Sequence, residues 1–330
     1  MNYFLSISIP TYNRSSYLKD TIECFAKQIN DRKDIQIAVA DNFSTDDTEE
    51  MISEMKKKYP YIKYHKNSKN LGADRNYLKA VEISDGKFCW LFGSDDQICE
   101  NALEKVISSL KDKCSDILLM NRLNMCPELK EERGIQRYFR SDEEFSLDFS
   151  ELNSYVKYSN EACDIASMFS YLSSIVLNKE KWDVVDVDNS FIGGAYIHVS
   201  KLFGMMNRGC SFHFLPEALV LNRQGNDHFA GSGYVKRRLI DVGYVDLVEK
   251  SFSEEKYKVL LRKIVEREFF TLPKILAFKM WTYKYQTNKD FLELFNGYKT
   301  FENYPHYRIR MWFFKNIPNS VLRLIYRIFY

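Results

Sequence analysis

The sequence predicts an α/β protein with a doubly wound, mostly parallel sheet flanked by helices and a helical extension at its carboxyl end. Three observations support this fold class. Up to residue 120, short β-branched runs alternate with segments of helical periodicity, the pattern of successive βαβ units. Polar loops directly follow several of these runs, as they do at the carboxyl edge of an open parallel sheet. Residues 255–300 carry repeated helical patterns rich in lysine and aromatic residues.

Each predicted strand is a short apolar run between turn-forming residues. The strands are residues 4–9, 35–40, 62–65, 88–92 and 117–120. A helix is predicted to begin near Ser16, because its apolar residues Leu18, Ile22, Phe25, Ala26 and Ile29 share one face. Further helices are predicted after Ser44, over residues 73–83 and over residues 101–110.

Composition excludes several classes of protein. The 330 residues carry a net charge of only +2, so no nucleic-acid partner is predicted. Seven cysteines form an odd set without a Cys-x-x-Cys spacing, which argues against a disulfide framework and a zinc site. The first strand lacks the basic start of a signal peptide. The longest uncharged run, residues 165–178, falls short of the ~20 residues that span a bilayer. A cytoplasmic location is predicted.

The chain is divided into two predicted domains, residues 1–235 with the ligand site and residues 236–330 as a helical region. Residues 126–160 are locally acidic and weakly periodic, and we interpret them as an excursion or lid outside the core. Periodicity returns at residues 164–177 and 196–206.

The last segment, residues 305–330, is basic and contains no acidic residue. Its arginines and lysine alternate with aromatic and aliphatic residues, including Trp312 and Phe314. This composition suits the headgroup plane of an anionic membrane, on the inner face of the cell membrane. The alternative interpretation is a helix that packs on the protein itself.

Polar side chains follow three of the predicted strands. The first loop contains Pro10, Thr11, Tyr12 and Arg14; the second contains Asp41 and Asn42; the third contains Ser94, Asp95 and Asp96. In a parallel sheet these loops meet at one edge. Asp41 is placed where it could accept a proton of a pyrimidine or a ribose hydroxyl. A fourth polar segment contributes Arg75, which could bind phosphate or carboxylate.

The adjacent carboxylates of Asp95 and Asp96 predict a hard divalent cation, Mn²⁺ or Mg²⁺, bound together with a diphosphate. An isolated Asp-Asp pair would more simply be a solvated turn. The other polar loops at the same edge of the sheet favour a ligand site instead. No Gly-x-Gly-x-x-Gly or Gly-x-x-x-x-Gly-Lys pattern follows the first strand, so a dinucleotide fold and a nucleotidyltransferase are disfavoured.

Four ordered motifs give the chain a family resemblance. Pro-Thr-Tyr-Asn-Arg, Asp-Asn-Phe-Ser-Thr-Asp-Asp-Thr, Asn-Leu-Gly-x-x-x-Asn and Leu-Phe-Gly-Ser-Asp-Asp follow one another up to about residue 96. Together they resemble glycosyltransferase family 2, the nucleotide-sugar-dependent enzymes of GT-A fold. Residues 182, 196–198 and 222–227 are similar to abequosyltransferase-like members that act in bacterial O-antigen assembly.

The resemblance implies roles for individual residues. Pro10, Thr11, Tyr12, Arg14, Asp41, Asn42, Arg75, Ser94, Asp95 and Asp96 would bind the donor, and Asp95 and Asp96 would hold the metal ion. The expected activity is metal-dependent, inverting transfer of a sugar from a nucleoside-diphosphate sugar to a glycan or lipid-linked glycan. A catalytically silent sugar- or nucleotide-binding module on the same fold is the alternative.

The chain departs from the family pattern at two places. Gly93 stands where the commonest metal motif has its first acid, and residues 193–198 lack the usual Glu-Asp pair that supplies the base. His198 is the first substitute considered, because imidazole titrates near neutrality, although a packed core histidine is the equal alternative. Asp96 and Asp227 are the other predicted catalytic residues. Asp164 and His228 are further candidates for the base.

Overall fold

The computed structural model describes residues 3–225, 239–285, 288–318, 320–321 and 324. Its internal contacts divide the chain into two compact units, residues 1–226 and 227–330. The predicted domain boundary at residue 235 lies outside the described residues. In the described part of the chain, no helix is both long enough and apolar enough to cross a membrane.

The first unit alternates strands with helices, as the βαβ pattern predicts. Its strands are β1 (Tyr3–Thr11), β2 (Ile35–Asp41), β3 (Ile62–Lys66), β4 (Gly86–Leu91), β5 (Gln97–Ile98), β6 (Ile117–Met125), β7 (Glu132–Gln136), β8 (Phe145–Asp148), β9 (Ile175–Asn178) and β10 (Ser211–Arg223). Its helices are α1 (Ser15–Ile29), α2 (Thr48–Lys58), α3 (Ala73–Glu82), α4 (Ala102–Lys113), α5 (Leu152–Glu161), α6 (Lys179–Asp183) and α7 (Ile197–Asn207).

The described strands form a single mixed sheet in the order β3-β2-β1-β4-β9-β6-β10-β5, with β7 paired to β6 and β8 to β10. Pairing is parallel from β3 through β4, and β10 is parallel to β6. β9 is antiparallel to both β4 and β6. The fold class is confirmed, and β9 is the strand that makes the centre of the sheet mixed.

The core of the first unit lies between the sheet and its helices. The face of α1 predicted to be apolar is buried, with Leu18, Ile22, Phe25 and Ile29 fully enclosed. Phe25 contacts the rings of Trp90 and Phe92 edge to face, with centroids 5.5 and 4.8 Å apart. The helical periodicity therefore identified the packing face of this helix correctly.

The interpretation of residues 126–160 as an excursion outside the core is wrong. This segment adds β7, β8 and α5 to the first unit, and its aromatic residues Tyr138, Phe139, Phe149, Tyr155 and Tyr158 are buried. Acidic residues such as Glu143 and Glu144 lie on the exposed surface. The acidic composition therefore describes the outer face of the segment, whereas its aromatic residues form core.

The second unit is helical in its described residues. It contains α8 (Tyr244–Ser251), α9 (Glu255–Val265), a π-helical turn (Glu266–Phe270), α10 (Leu272–Tyr285), α11 (Asn288–Gly297) and α12 (Tyr307–Asn316). Phe270 stacks on Phe301 with ring centroids 4.6 Å apart. Buried aromatic residues thus form a separate core, and the predicted helical extension is confirmed.

Candidate functional site

The carboxyl ends of β1, β2 and β4 bring the three polar loops together. Thr11 is in register with Asp41 across β1 and β2, and Ser8 is in register with Leu91 across β1 and β4. The chain leaves all three strands within a few residues of these pairs. The predicted convergence of the loops therefore follows directly from the strand register.

Arg14 and Asp95 meet at this edge. Arg14 precedes the first residue of α1, and its Nη1 lies 2.9 Å from Oδ2 of Asp95. The two side chains are 23% and 15% exposed, so the ion pair is partly shielded but still reachable by a ligand. The resemblance assigned both residues to the donor site, and the fold places them in direct contact.

Asp96 points into the protein, unlike Asp95. Its Oδ2 accepts hydrogen bonds from the hydroxyls of Tyr171 and Ser173, at 2.6 and 2.5 Å, and Oδ1 accepts from the Arg223 backbone N–H at 3.3 Å. Burial raises the pKa of Asp96 to about 6, and the charge of Asp95 adds to this effect. Asp96 is therefore a carboxylate that titrates close to neutrality.

The inward turn of Asp96 explains why residue 93 is glycine. A Cβ at Gly93 would lie 2.8 Å from Oδ2 of Asp96 and 3.3 Å from both Oδ1 of Asp95 and Oγ of Ser173. Ser173 also accepts a hydrogen bond of 2.8 Å from the Gly93 backbone N–H. The position that holds an acid in the commonest family motif thus has no room for a side chain.

Asp41 and Asn42 hold the second loop from inside. Asp41 is fully buried, and its carboxylate accepts hydrogen bonds from the Ser44 N–H and hydroxyl and from the Tyr64 hydroxyl. Asn42 is 3% exposed and accepts a hydrogen bond of 2.8 Å from the Leu71 N–H. The oxygens of the Asp41 carboxylate already bind the protein, so its direct contact with a nucleobase stays a prediction.

Two exposed aromatic side chains lie in the loops that follow β1 and β2. Tyr12 and Phe43 are 44% and 43% exposed. Asn13 links their loops, because its N–H donates to the Ser44 hydroxyl at 2.9 Å and its side-chain oxygen accepts from the Thr45 N–H at 2.8 Å. Tyr12 is among the donor-site residues predicted from the sequence, whereas Phe43 is not. An exposed aromatic residue next to a ligand-binding loop was the signal that could have found it.

The remaining predicted donor residues differ in exposure. Pro10, Thr11 and Ser94 are buried beneath the loops. Among the described residues, none forms a hydrogen bond with the buried Thr11 hydroxyl. Arg75 is exposed at the start of α3, where its Nη2 lies 3.4 Å from the side-chain oxygen of Asn189. Arg75 therefore remains available to a ligand, whereas the buried residues shape the backbone.

His198 is a packed core residue. It is 2% exposed, its Nε2 lies 3.0 Å from the Phe169 carbonyl oxygen, and its ring meets that of Tyr77 edge to face. Burial lowers its pKa to about 4. The imidazole is enclosed and is a poor proton acceptor at neutral pH, which argues against His198 as the base. Asp227 and His228 lie outside the described residues.

The stretch that lacks the Glu-Asp pair is held by a carboxylate from another element. Asp74, in α3, is 3% exposed and accepts hydrogen bonds from the backbone N–H groups of Gly193, Ala195 and Ile197, at 2.6, 3.1 and 3.3 Å. These groups precede or begin α7, where helix N–H groups lack intrahelical partners. Asp74 thus stabilises this helix start and has its oxygens engaged.

Residues from much later in the chain complete the site around Asp95 and Asp96, which we call the carboxylate site. Arg223, the last residue of β10, donates from Nε to the Asp95 carbonyl at 2.9 Å. The Tyr171 hydroxyl lies between Oδ2 of Asp96 and the side-chain oxygen of Asn222, 2.8 Å from the latter. Tyr171 is not among the residues predicted from the sequence, and Arg223 appears there only within the family-like stretch 222–227, since nothing local in the sequence links either residue to Asp95 and Asp96.

The carboxylate site fits a divalent cation only in one mode. Among the described residues, no group of three or more histidine, cysteine or acidic side chains is arranged around a common metal position. Mg²⁺ commonly binds through one or two carboxylates together with substrate phosphates. Asp95 suits that mode, because its carboxylate is partly exposed beside Arg14. Asp96 suits it less well, because hydroxyl donors already occupy its oxygen Oδ2.

The chain is similar to known proteins along most of its length. The family model for glycosyl transferase family 2 matches residues 6–177. Abequosyltransferase RfbV of Salmonella typhimurium is 38% identical over 254 residues, which cover 76% of each chain. A poly(ribitol-phosphate) beta-glucosyltransferase of Bacillus spizizenii is 32% identical over 35% of this chain and 18% of its own.

Solved structures share the fold. S. aureus TarS 1-349 in complex with UDP-GlcNAc superposes with a TM-score of 0.69, covering 98% of this chain and 91% of that one at 16% identity. The mannosyltransferase PcManGT of Pyrobaculum calidifontis, in complex with GDP-Man and Mn²⁺, gives 0.58 at 12% identity and covers 98% and 87%. At such identities the superpositions establish the fold alone.

Proposed function

Because the chain belongs to glycosyl transferase family 2 and is thereby a glycosyltransferase, we propose that it moves a sugar from a nucleoside-diphosphate sugar to an acceptor hydroxyl. The proposed acceptor is a glycan or lipid-linked glycan of a bacterial surface polysaccharide. The abequosyltransferase relative and the UDP-GlcNAc complex of a structural neighbour support this choice. The observation that carries it is the contact of Arg14 with Asp95 at the carboxyl edge of the sheet.

The residues of the first two loops are proposed to bind the nucleotide. Tyr12 and Phe43 offer exposed rings on which a base can stack, while Asp41 fixes the loop between them through Ser44. Arg14 and Arg75 supply positive charge for the diphosphate. In this arrangement Asp41 acts on the donor through the loop conformation.

The reaction is proposed to be a single displacement with inversion at the anomeric carbon. The acceptor oxygen forms a bond to the anomeric carbon while the bond between that carbon and the diphosphate oxygen breaks. Negative charge then develops on the departing diphosphate. Arg14 stabilises that charge by a charge-assisted hydrogen bond. A bound Mn²⁺ or Mg²⁺ would supply Lewis-acid stabilisation at the same place, and Asp95 is the residue proposed to hold it.

Asp96 is the proposed base. A general base works best when its pKa lies near the operating pH, and burial brings the pKa of Asp96 to about 6. Because Oδ2 already accepts hydrogen bonds from Tyr171 and Ser173, Asp96 would take the proton of the acceptor hydroxyl once the acceptor displaces one of these donors. Asp227, which lies outside the described residues, stays a prediction for the same role.

A catalytically silent binding module on the same fold is the alternative, and membership of the glycosyltransferase family argues against it. The observation that favours it is the enclosed state of His198 together with the engagement of Asp74 at residues 193–197. Slow hydrolysis of a nucleotide sugar in water, without acceptor, separates the two functions. A transferase releases free sugar, whereas a binding module releases none.

The last described helix, α12, is proposed to bind the inner face of an anionic membrane. It packs on its own unit through Met311 and Phe314, which are buried. Its other face exposes Ile309 and Trp312, each 59% exposed, next to the exposed basic residues Arg308 and Lys315. Apolar and basic side chains on one exposed helix face suit the headgroup region of an anionic bilayer.

A thermal-shift panel tests the proposed function. The protein is heated with UDP-, CDP-, GDP- and dTDP-sugars, each with Mn²⁺ or Mg²⁺. A ligand that binds only the folded state stabilises it by about 2.7 kcal/mol at a hundredfold excess over Kd, and this raises the melting temperature. One nucleotide sugar should stabilise the protein more than its nucleoside diphosphate does. If none of them stabilises it, the proposal fails.

A further inference from the structure

Arg122, near the end of β6, is a basic residue beside Asp96 whose buried Nε has no hydrogen-bond partner in the described part of the chain. Its guanidinium carbon lies 3.8 Å from the centroid of the Tyr171 ring. Buried polar groups are usually satisfied, because an unmade hydrogen bond costs free energy. The arrangement therefore fits a group that completes its bonding when a ligand arrives.

The surroundings of Arg122 are polar and connected to Asp96. Tyr171, on which the guanidinium stacks, contacts the Asp96 carboxylate at 2.6 Å through its hydroxyl. Asn124 lies two residues further along β6, on the same face as Arg122, and accepts a hydrogen bond of 2.8 Å from Asn222. Stacking on Tyr171 holds the guanidinium plane in one orientation while its donors remain available.

The sheet order places Arg122 away from the nucleotide end of the site. Arg14 and Asp41 belong to β1, β2 and their loops, whereas β6 is separated from β4 by β9. With neighbouring strands ~4.8 Å apart, β6 lies roughly 10 Å beyond β4. Arg122 therefore lies on a strand between β4 and β10, and Asp95 and Asp96 contact Arg223 at the end of β10. Because the nucleotide is proposed to bind at the loops after β1 and β2, a group held by Arg122 would be displaced from the nucleotide toward the later strands.

We propose that Arg122 binds an oxyanion carried by the acceptor, and this inference rests on the proposed function. Guanidinium groups bind phosphate and carboxylate through paired donors in one plane. Two kinds of acceptor carry such a group: a lipid-linked glycan has phosphate, and an acidic glycan has carboxylate. Arg122 would then position the acceptor and select for its charge, while Asp96 takes the proton.

Chemical labelling of the native chain tests this inference. Phenylglyoxal modifies arginine side chains, and mass spectrometry of peptides reports the extent at Arg122. The reaction is run with a saturating nucleoside diphosphate, which fills the site near Arg14, and then with added inorganic phosphate or acetate. Arg122 should be labelled with the nucleotide alone and protected by one of the two anions. Protection by phosphate indicates a phosphate-bearing acceptor, and protection by acetate indicates a carboxylate.

Arg137 is the matched control, since it is exposed and pairs with Asp142 at 2.6 Å. Its labelling should not respond to either anion. In calorimetry, Arg122→Gln should weaken binding of the protecting anion about tenfold, the loss of one charge-assisted hydrogen bond, and Arg122→Lys should retain part of it.

Three results would overturn the inference: no labelling of Arg122 under any condition, no protection by either anion, or full protection by the nucleotide alone. Failure of every nucleotide to shift the melting temperature would instead count against the proposed function, because the response of Arg122 to anions can be measured without nucleotide.

Discussion

Nη1 of Arg14 lies 2.9 Å from Oδ2 of Asp95, although the two residues are on different loops after different strands. The parallel pairing of β1 with β4 brings them together. Without a donor, each neutralises the other at the edge of the sheet. A diphosphate would compete with Asp95 for Arg14, and Asp95 would then be released toward a metal ion. In the proposed mechanism, the ion pair would thus couple binding of the diphosphate to binding of the metal ion.

Substitution of Gly93 by alanine should destabilise the protein. The new Cβ would lie 2.8 Å from Oδ2 of Asp96, so the carboxylate must move away from Tyr171 and Ser173. Crowding of this kind typically costs about 1–3 kcal/mol. Urea unfolding measures the cost, with Gly194→Ala as the control, because a Cβ there meets only the Phe191 carbonyl oxygen at 3.3 Å. A Gly93→Ala protein as stable as wild type would contradict the account of this motif.

The pH dependence of stability should change when Asp96 is replaced by asparagine. The pKa of Asp96 is about 6 in the folded protein against an ordinary value of 3.8, so the folded state holds its proton more tightly. Wild type should therefore lose stability relative to Asp96→Asn as the pH rises through 6, by on the order of 2 kcal/mol. Unfolding in urea at pH 4.5 and 7.5 gives the difference, and identical pH profiles would refute the raised pKa.

Sugar transfer should survive the conservative substitution His198→Gln in a folded protein. The imidazole is enclosed and its pKa is about 4, so it is not expected to take a proton from the acceptor. The unfolded chain protonates near pH 6.5, and wild type should lose stability relative to the variant as the pH falls from 6.5 toward 4. Circular dichroism checks the fold. A loss of kcat greater than about a hundredfold in a folded variant would restore His198 to the mechanism.

Binding to anionic vesicles should depend on the exposed face of α12. Trp312→Ser should weaken binding to phosphatidylserine vesicles about tenfold, because one exposed apolar side chain no longer enters the bilayer surface. Val259→Ser, at a 44% exposed position of α9, is the control. Point variants are preferable to deleting residues 305–330, since Met311 and Phe314 are buried. Equal binding by wild type and Trp312→Ser would exclude α12 as the contact.

The sequence predicts the elements that depend on local pattern. The predicted strand at residues 35–40 differs from β2 (Ile35–Asp41) by one residue, and the apolar face of α1 is the one that packs. The convergence of the polar loops also follows, because the position of a loop after a parallel strand fixes its edge of the sheet.

Contacts across long sequence separations could not be predicted in this way. Tyr171 and Arg223 reach Asp95 and Asp96 from more than 70 residues away, through strands β9 and β10 that join the sheet late in the chain. The burial of the His198 ring could not be predicted either, since neither the titration chemistry of imidazole nor its place in a periodic segment indicates whether the ring faces solvent. Residues 126–160 were wrongly predicted to lie outside the core for a related reason, because the net composition of a segment does not distinguish its buried face from its exposed face.

Donor turnover by Asp95→Asn tests the central claim most directly. Release of nucleoside diphosphate is measured with the nucleotide sugar that stabilises wild type, Mn²⁺ or Mg²⁺, and a membrane extract as the acceptor source. Asp246→Asn, an exposed surface variant that loses only its contact with Lys250, is the control. Asp95→Asn should fold normally and release nucleoside diphosphate at least about a hundredfold more slowly, because it loses the carboxylate that holds the ion. Near-normal turnover with undiminished metal dependence would contradict the account.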